Sequence, residues 1–352
     1  MAIGEQFGRR IRVRVGNQIV CDLSPFAPQE VNEGRNLDVE FQTEKHTKLE
    51  PLKTSLTIYG LSRDTRERMS KELDAANQVA WKIRRQIQSG AVEILEGAEQ
   101  AALASLIVQG AEVQIDAGYG LDIGTLNVAT ILPDGLKHTK DGTGWVTQIT
   151  AQDNRFLWQD GFVSQTVAGG VSLYDYQRVI DASTAVNTGE ESLAAFTAAF
   201  PELTQIQDLP GHKNGFVLHG EAQRNTRQLA DVLGLRPFLN EFGELVYLSP
   251  TAVTLGLAVP LKPTSGLLNI ERLPRGYYKT ASLLNHRLGP GRQVFLFDED
   301  PASITLPVPV EIPVPPGVFR VDYVAHSGSS FSETFYSECT LRPTAIVPTA
   351  NP

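Results

Sequence analysis

The sequence predicts a mainly β protein with α/β elements. A β unit stands at each end, a smaller mixed α/β unit lies between them, and the first unit carries a helical insertion. Three observations lead there. Short segments at both ends alternate apolar and polar residues with period two, the pattern of half-buried strands. One segment near the front, residues 62–108, follows a helical period instead. The chain has 352 residues, more than one ordinary core accommodates, which suits two or three domains. The expected divisions are 1–157, 158–250 and 251–352.

In the first division, Arg10–Val15 (RIRVRV), Leu37–Phe41 (LDVEF) and Ser55–Tyr59 (SLTIY) read as strands, the last ended by Gly60. Ser62 or Asp64 can cap the helix that follows, with Glu67 three residues after Asp64. Met69, Leu73, Ala76, Ala80, Ile83 and Ile87 recur at alternating steps of four and three, a heptad seam on one face. Gly90 and Gly97 weaken the helix beyond it, and a second helical stretch runs to about Val108. Strands return at Glu112–Ala117, Thr125–Leu132 and Trp145–Ala151. The polar stretch Asp134–Gly144, with three glycines, reads as a loop or hairpin end.

In the middle division, Ser172 can cap a helix containing Tyr176, Val179 and Ile180, and the helix Glu190–Phe200 is stopped by Pro201. Gly215–Gly220 reads as a strand, Gln223–Leu233 as a helix ended by Gly234, and Pro237–Leu248 as a hairpin turning around Glu241–Gly243. In the last division, Lys279–Leu284 and Gln293–Phe297 are strands flanking the Gly-Pro-Gly turn at Gly289–Gly291. Residues 301–317 form a Pro-rich arm. Five prolines within Ala302–Gly317 lack ladder donors, so the segment is an extended arm or an edge, never a central strand. Val318–Ala325 and Ser332–Leu341 make a closing hairpin around Ser327–Ser330.

Composition excludes several functions. Hydrophobic residues are 41% and charged residues 20%, a folded composition. The formal charge is −9, the wrong sign for a general nucleic-acid binder. No apolar run is long enough to cross a bilayer, and MAIGEQFGRR lacks a signal-peptide core, so synthesis in the cytoplasm without stable membrane insertion is expected. Cys21 and Cys339 have no metal-type spacing and read as reduced, partly buried thiols.

The strong catalytic signatures are missing, and the six histidines are scattered without ligand spacing. Gly118, Gly120 and Gly124 have the wrong spacing for a dinucleotide loop and read as turn glycines. His219 and Glu221 share a strand face without a visible third partner. Asp298, Glu299 and Asp300 read as a solvated turn rather than a calcium loop. No catalytic, cofactor-binding or metal-binding residue is therefore assigned.

The seam has two readings. It packs on this chain's own sheet, or Met69, Leu73, Ala76, Ala80, Ile83 and Ile87 are assembly contacts with a copy or a neighbour. From Arg63 to Arg85 there are seven basic and four acidic residues, a basic patch on an acidic chain. It is either a solvated helix face or a match for an acidic neighbour.

Several stretches, in this order, resemble the bacteriophage tail baseplate-hub family, including its Mu-like and P2-like late-control members. SLTIYGLSRDTRERM (Ser55–Met69) is similar to a strand "I-x-N-L-S" running into a helix, with Gly60 where Asn is usual. VQIDAGYG (Val113–Gly120) resembles "v-x-l-x-A-G-Y", followed by a strand pair ending in WVTQITAQDN (Trp145–Asn154). His219–Pro250, Leu267–Leu296 and Phe319–Pro343 are similar to the family's helix-and-hairpin module, its "l-L-n" segment and its closing hairpin, with Phe335 near the usual aromatic. The region from Arg63 to Val108 looks longer than the family's.

The resemblance implies two tail-tube-like β-barrel or sandwich domains flanking the mixed domain. It further implies a homotrimeric ring whose six similar positions mate with a sixfold tube. The implied partners are the tail tube or distal tail protein, the spike or tip protein and the tape-measure protein. The implied place is the virion tail tip, with no catalytic residues and no cofactor. Two rival functions stay open: a receptor- or carbohydrate-binding tail module using its Trp and Tyr as stacking platforms, and a tail-associated cell-wall hydrolase with carboxylates meeting in space.

Overall fold

The computed structural model describes residues 8–23, 37–88, 111–142, 144–153, 162–167, 216–249, 252–254, 257–296 and 317–344. The second helical stretch to Val108, the helices expected at Ser172 and Glu190, the acidic run Asp298–Asp300 and the Pro-rich arm lie outside these residues.

The protein is mainly β, and one large sheet organises it. The front of the chain supplies β1 (Arg9–Val15), β2 (Gln18–Asp22), β3 (Asp38–His46), β4 (Lys53–Tyr59), β5 (Glu112–Tyr119), β6 (Asp122–Lys140) and β7 (Trp145–Gln152). They lie in the order β3-β4-β7-β6-β5-β1-β2. Between β4 and β5 runs helix α1 (Arg63–Gln88). The middle supplies a two-stranded pair, β8 (Phe162–Val167) with β9 (Phe216–Glu221), then helix α2 (Ala222–Leu233) and the hairpin β10 (Arg236–Leu239) and β11 (Leu245–Leu248). Gly234 ends α2 in the left-handed conformation (φ 66°), as its position after the last apolar residue predicts.

The back of the chain supplies β12 (Val259–Leu261), β13 (Leu267–Arg272), β14 (Tyr278–Leu283), β15 (Gln293–Leu296), β16 (Gly317–Ser329) and β17 (Phe335–Pro343). β13-β14-β17-β16 continue the large sheet, because β16 pairs antiparallel with β3 from Tyr323↔His46 to Ser329↔Glu40. β15 pairs with β16 and, in parallel, with β12. All six of these strands contribute to one hydrophobic cluster around Leu261, Val294, Phe319, Val321, Cys339 and Leu341. The front strands bury a separate and larger cluster that includes Ile11, Val13, Phe41, Ile58, Ile115 and Ile131. Leu284 and Phe335 from the back of the chain also join the front cluster, so two clusters lie along one shared sheet.

Three differences from the sequence reading have physical causes. The stretch 134–144 is not a loop throughout, because β6 runs to Lys140. A bulge between Ile131 and Leu136 takes up Pro133 and Gly135, after which pairing with β7 resumes. A Cβ on Gly135 would meet the Thr150 carbonyl oxygen at 2.1 Å, so the bulge needs glycine there. β2 escaped notice because Gly16 and Asn17 make a tight turn directly after β1. β12 and β13 are short and mostly exposed on one or both faces, which leaves little period-two pattern to read.

Candidate assembly surfaces

Helix α1 is fixed at its start by Ser62, whose hydroxyl accepts the Thr65 main-chain N–H at 3.0 Å. Of the two capping candidates, Ser62 does the work. Glu67 instead accepts from Arg63 Nε across one exposed turn. Arg66 lies over the Trp145 ring at 3.8 Å and donates through Nε to the Ser62 carbonyl. Ser70 Oγ meets His138 Nε2 at 3.2 Å, and His138 Nδ1 meets Thr147 Oγ1 at 3.0 Å.

A serine beside a histidine is the geometry of a nucleophile and its base. Here the far ring nitrogen faces a hydroxyl rather than a carboxylate, and the ring also hydrogen-bonds the Arg66 main chain. Burial, with the Arg66 charge, holds the His138 pKa below the usual histidine value. The cluster serves as a neutral latch between α1 and the sheet.

The proximal part of the seam is described in α1. Met69, Leu73 and Ala76 are 1%, 3% and 2% exposed and belong to the front cluster of this chain. The side chains of Ala80, Ile83 and Ile87 lie outside the described residues. Next to them, Trp81 is 58% exposed and Lys82 is exposed.

A second surface lies where β3, β4 and the β16–β17 turn meet. Tyr59 and Phe331 pack edge to face with centroids 5.8 Å apart, and Phe331 is 50% exposed. Ser330 holds the turn in place, accepting from Val39 N at 2.9 Å and donating to Asp38 Oδ1 at 3.3 Å. Burial raises the Tyr59 pKa, and the Glu40, Asp141 and Asp38 charges raise it further, so the aromatic pair sits in an acidic surround. Sequence reasoning missed this surface. The available signal was an aromatic residue, Phe331, in an otherwise polar turn.

The junction of the two units is polar and buried. Lys45 and Asp153 form an ion pair at 2.8 Å beneath β3. His326, 2% exposed, spans Ser337 Oγ (2.8 Å) and the Leu288 carbonyl (3.1 Å); burial pushes its pKa down to about 4. From the middle unit, Glu241 accepts from Arg292 at 2.7 Å, while Val128 N donates to the Glu241 carbonyl at 2.9 Å. The β10–β11 turn thus ties both β units together. Cys21 and Cys339 are both buried free thiols, and burial raises the Cys21 pKa to about 12, so neither is poised as a nucleophile.

His219 and Glu221 sit exposed on β9, and among the described residues no three His, Cys, Asp or Glu side chains gather as a metal site. No helix among them is long and apolar enough to cross a membrane. The sheet ends on β2 and β13, whose outer edges carry no strand among the described residues. Beside the β13 edge, Leu268 and Leu283 are 62% and 45% exposed.

No family model matches the chain, and no curated protein sequence does. Among solved structures it is similar to a tail protein from Neisseria meningitidis MC58, with 9% identity and a TM-score of 0.50 over 95% of this chain and 96% of that one. It is also similar to the 43 kDa tail protein of prophage MuSo2 from Shewanella oneidensis, with 9% identity and a TM-score of 0.48 over 96% and 99% of the two chains. Identity this low carries the fold alone. Over nearly its whole length, the chain has the fold of a tail protein, the class of protein its ordered motifs resemble.

Proposed function

We propose that the protein is a structural, non-enzymatic component of a phage tail tip, a baseplate hub that joins the tail tube to the central spike. The observation that carries this reading is the extent of the fold match: 95% of this chain against 96% of the meningococcal tail protein. A match confined to one β unit would fit many assemblies; a match of both units and the module between them is much more restrictive.

In this reading the two β units are tail-tube-like barrels or sandwiches, fused through β3 and β16, and three copies close a ring. Two units per copy give six similar positions, so a threefold hub can meet a sixfold tube. Ring closure also accounts for the sheet edges at β2 and β13, which find partners at once when the ring closes. The neighbours are the tail tube or distal tail protein above, the spike or tip protein below and the tape-measure protein within, in the virion. The test is the native mass of the purified chain across a concentration series. A stable trimer is expected; a strict monomer at every concentration would remove the self-assembling hub.

A further inference from the structure

The hairpin of β13 and β14 ends in a strained, basic tip. The Leu273 main-chain N–H closes its turn by donating to the Tyr277 carbonyl at 2.8 Å. Inside the turn Arg275 has φ 62° and ψ 24°, and it is the one described residue other than glycine with a positive φ. An L side chain in this left-handed region crowds its own main chain, so glycine or asparagine is usual after a turn proline such as Pro274. The next position also has a positive φ, 77°, and there the chain does place glycine, Gly276.

Two more arginines gather at the same corner of the sheet. Arg272 ends β13 across from Tyr278, whose other cross-strand partner, Leu341, precedes Arg342. The turn lies against the residue after Arg342: a Cβ added to Gly276 would stand 3.6 Å from the Pro343 ring. Arg272 and Arg275 are exposed and Arg342 is half-buried. Among the described residues none of the three side chains has a hydrogen bond or an ion pair. The nearby carboxylates belong to Lys279 instead. Glu338 accepts from it at 3.2 Å, and Glu271 is its cross-strand partner. The fold thus carries the strain at Arg275 without using its side chain, and strained positions cluster at ligand clamps and switch regions.

We propose that this tip is a docking point for an acidic segment of a partner protein, with Arg272, Arg275 and Arg342 taking its carboxylates. A guanidinium presents a planar fork that meets a carboxylate with two parallel hydrogen bonds. Three surplus cations at one corner suit a short run of carboxylates. A nucleic acid is charged along its whole length, and the rest of a chain of net charge −9 would repel it. The contact is independent of ring closure.

The experiment uses the full chain and two probes, an oligo-glutamate peptide and a single-stranded DNA of equal charge, with binding read by fluorescence anisotropy at low salt. The parent should bind the peptide more tightly than the DNA. Arg275→Asn and Arg275→Ala should each weaken peptide binding about two- to fivefold, the share of one exposed charge, and Arg272→Ser/Arg275→Asn/Arg342→Ser should weaken it ~tenfold or more. Asparagine tolerates the left-handed backbone and alanine does not. Arg275→Asn should therefore melt above both Arg275→Ala and the parent, a pairing of weaker binding with a higher melting temperature that a misfolded tip could not give. No binding by the parent, or equal binding by the parent and the triple variant, overturns the site. Arg275→Asn melting no higher than Arg275→Ala overturns the strain on which the site rests. Tighter binding of the DNA overturns the protein partner in favour of a nucleic acid. If native mass shows that the triple variant loses a self-association present in the parent, the occupant is a second copy and the separate partner is wrong.

Discussion

Replacing Lys45 by Met should destabilise the protein severely at neutral pH and less so in acid. Lys45 and Asp153 are 1% and 4% exposed and meet at 2.8 Å. Methionine fills much of the same space but leaves a carboxylate in the interior without its cation. Breaking a buried pair from one side costs about 3–5 kcal/mol. Asp153 sets the pH dependence. Burial raises its pKa, against the opposing pull of Lys45, and removing Lys45 raises it further. A carboxyl whose folded pKa exceeds its unfolded value takes up a proton on folding. Stability then falls as pH rises from the unfolded value, near 3.8, through the folded one. The deficit of Lys45→Met should therefore be widest at pH 7.5 and narrower at pH 4.5, read as urea unfolding midpoints by fluorescence. Lys45→Met/Asp153→Leu should recover most of it, since an apolar pair leaves no orphan charge. A single variant within ~0.5 kcal/mol of the parent at pH 7.5, the margin of an ordinary surface change, would refute the argument, as would a deficit that grows in acid.

The seam should behave as two halves. Leu73→Ala, in the front cluster, should cost about 2–5 kcal/mol, whereas Trp81→Ala, 58% exposed, should stay within ~0.5 kcal/mol in a dilute sample where chains do not associate. His326 is buried neutral with a pKa near 4, so the unfolded chain binds the proton first as pH falls below about 6.5. That contribution, of order 3 kcal/mol, is lost between those two values. His326→Gln should flatten the melting temperature against pH over this window, and an unchanged profile would mean that other groups set the acid limit. Gly118→Ala should destabilise by about 1–3 kcal/mol, because its Cβ would meet the Asp122 carbonyl oxygen at 2.0 Å. Gly142→Ala, with open space around it, is the control.

Sequence patterning read the fold well where one face of a strand or helix is buried. β1, β4, β5, β9, α2 and the β10–β11 hairpin fall where alternation or helical period placed them; the closing β16–β17 pair is there too, but Ser327–Ser329, expected in the turn, continue β16, and the turn lies at 330–334. It failed at β13, where five of six residues are not fully buried, and at the bulge in β6, where Pro133 and Gly135 look like a loop. The pairing of β3 with β16 was not legible, since cross-strand pairing between distant segments leaves no local period. For the candidate site, the seam was visible but what covers it was not, because heptad spacing records an apolar face without saying which molecule covers it. The acidic aromatic patch is assembled from four separate segments, so only the folded chain brings it together.

The same β3–β16 pairing puts a delay into biosynthesis. The residues that complete the edge of β3 are made roughly 280 positions later, so at ~5–20 residues per second that edge waits ~15–60 s for its partner. During the wait it is a template on which nascent chains from neighbouring ribosomes could pair. The sequence of β3 guards against this: Glu40, Glu44 and Lys45 place charges along a strand that ends as a central one. A chain stopped after Leu296 would keep that edge permanently open, and its tendency to aggregate, compared with the full chain, measures how much the late-arriving strand protects.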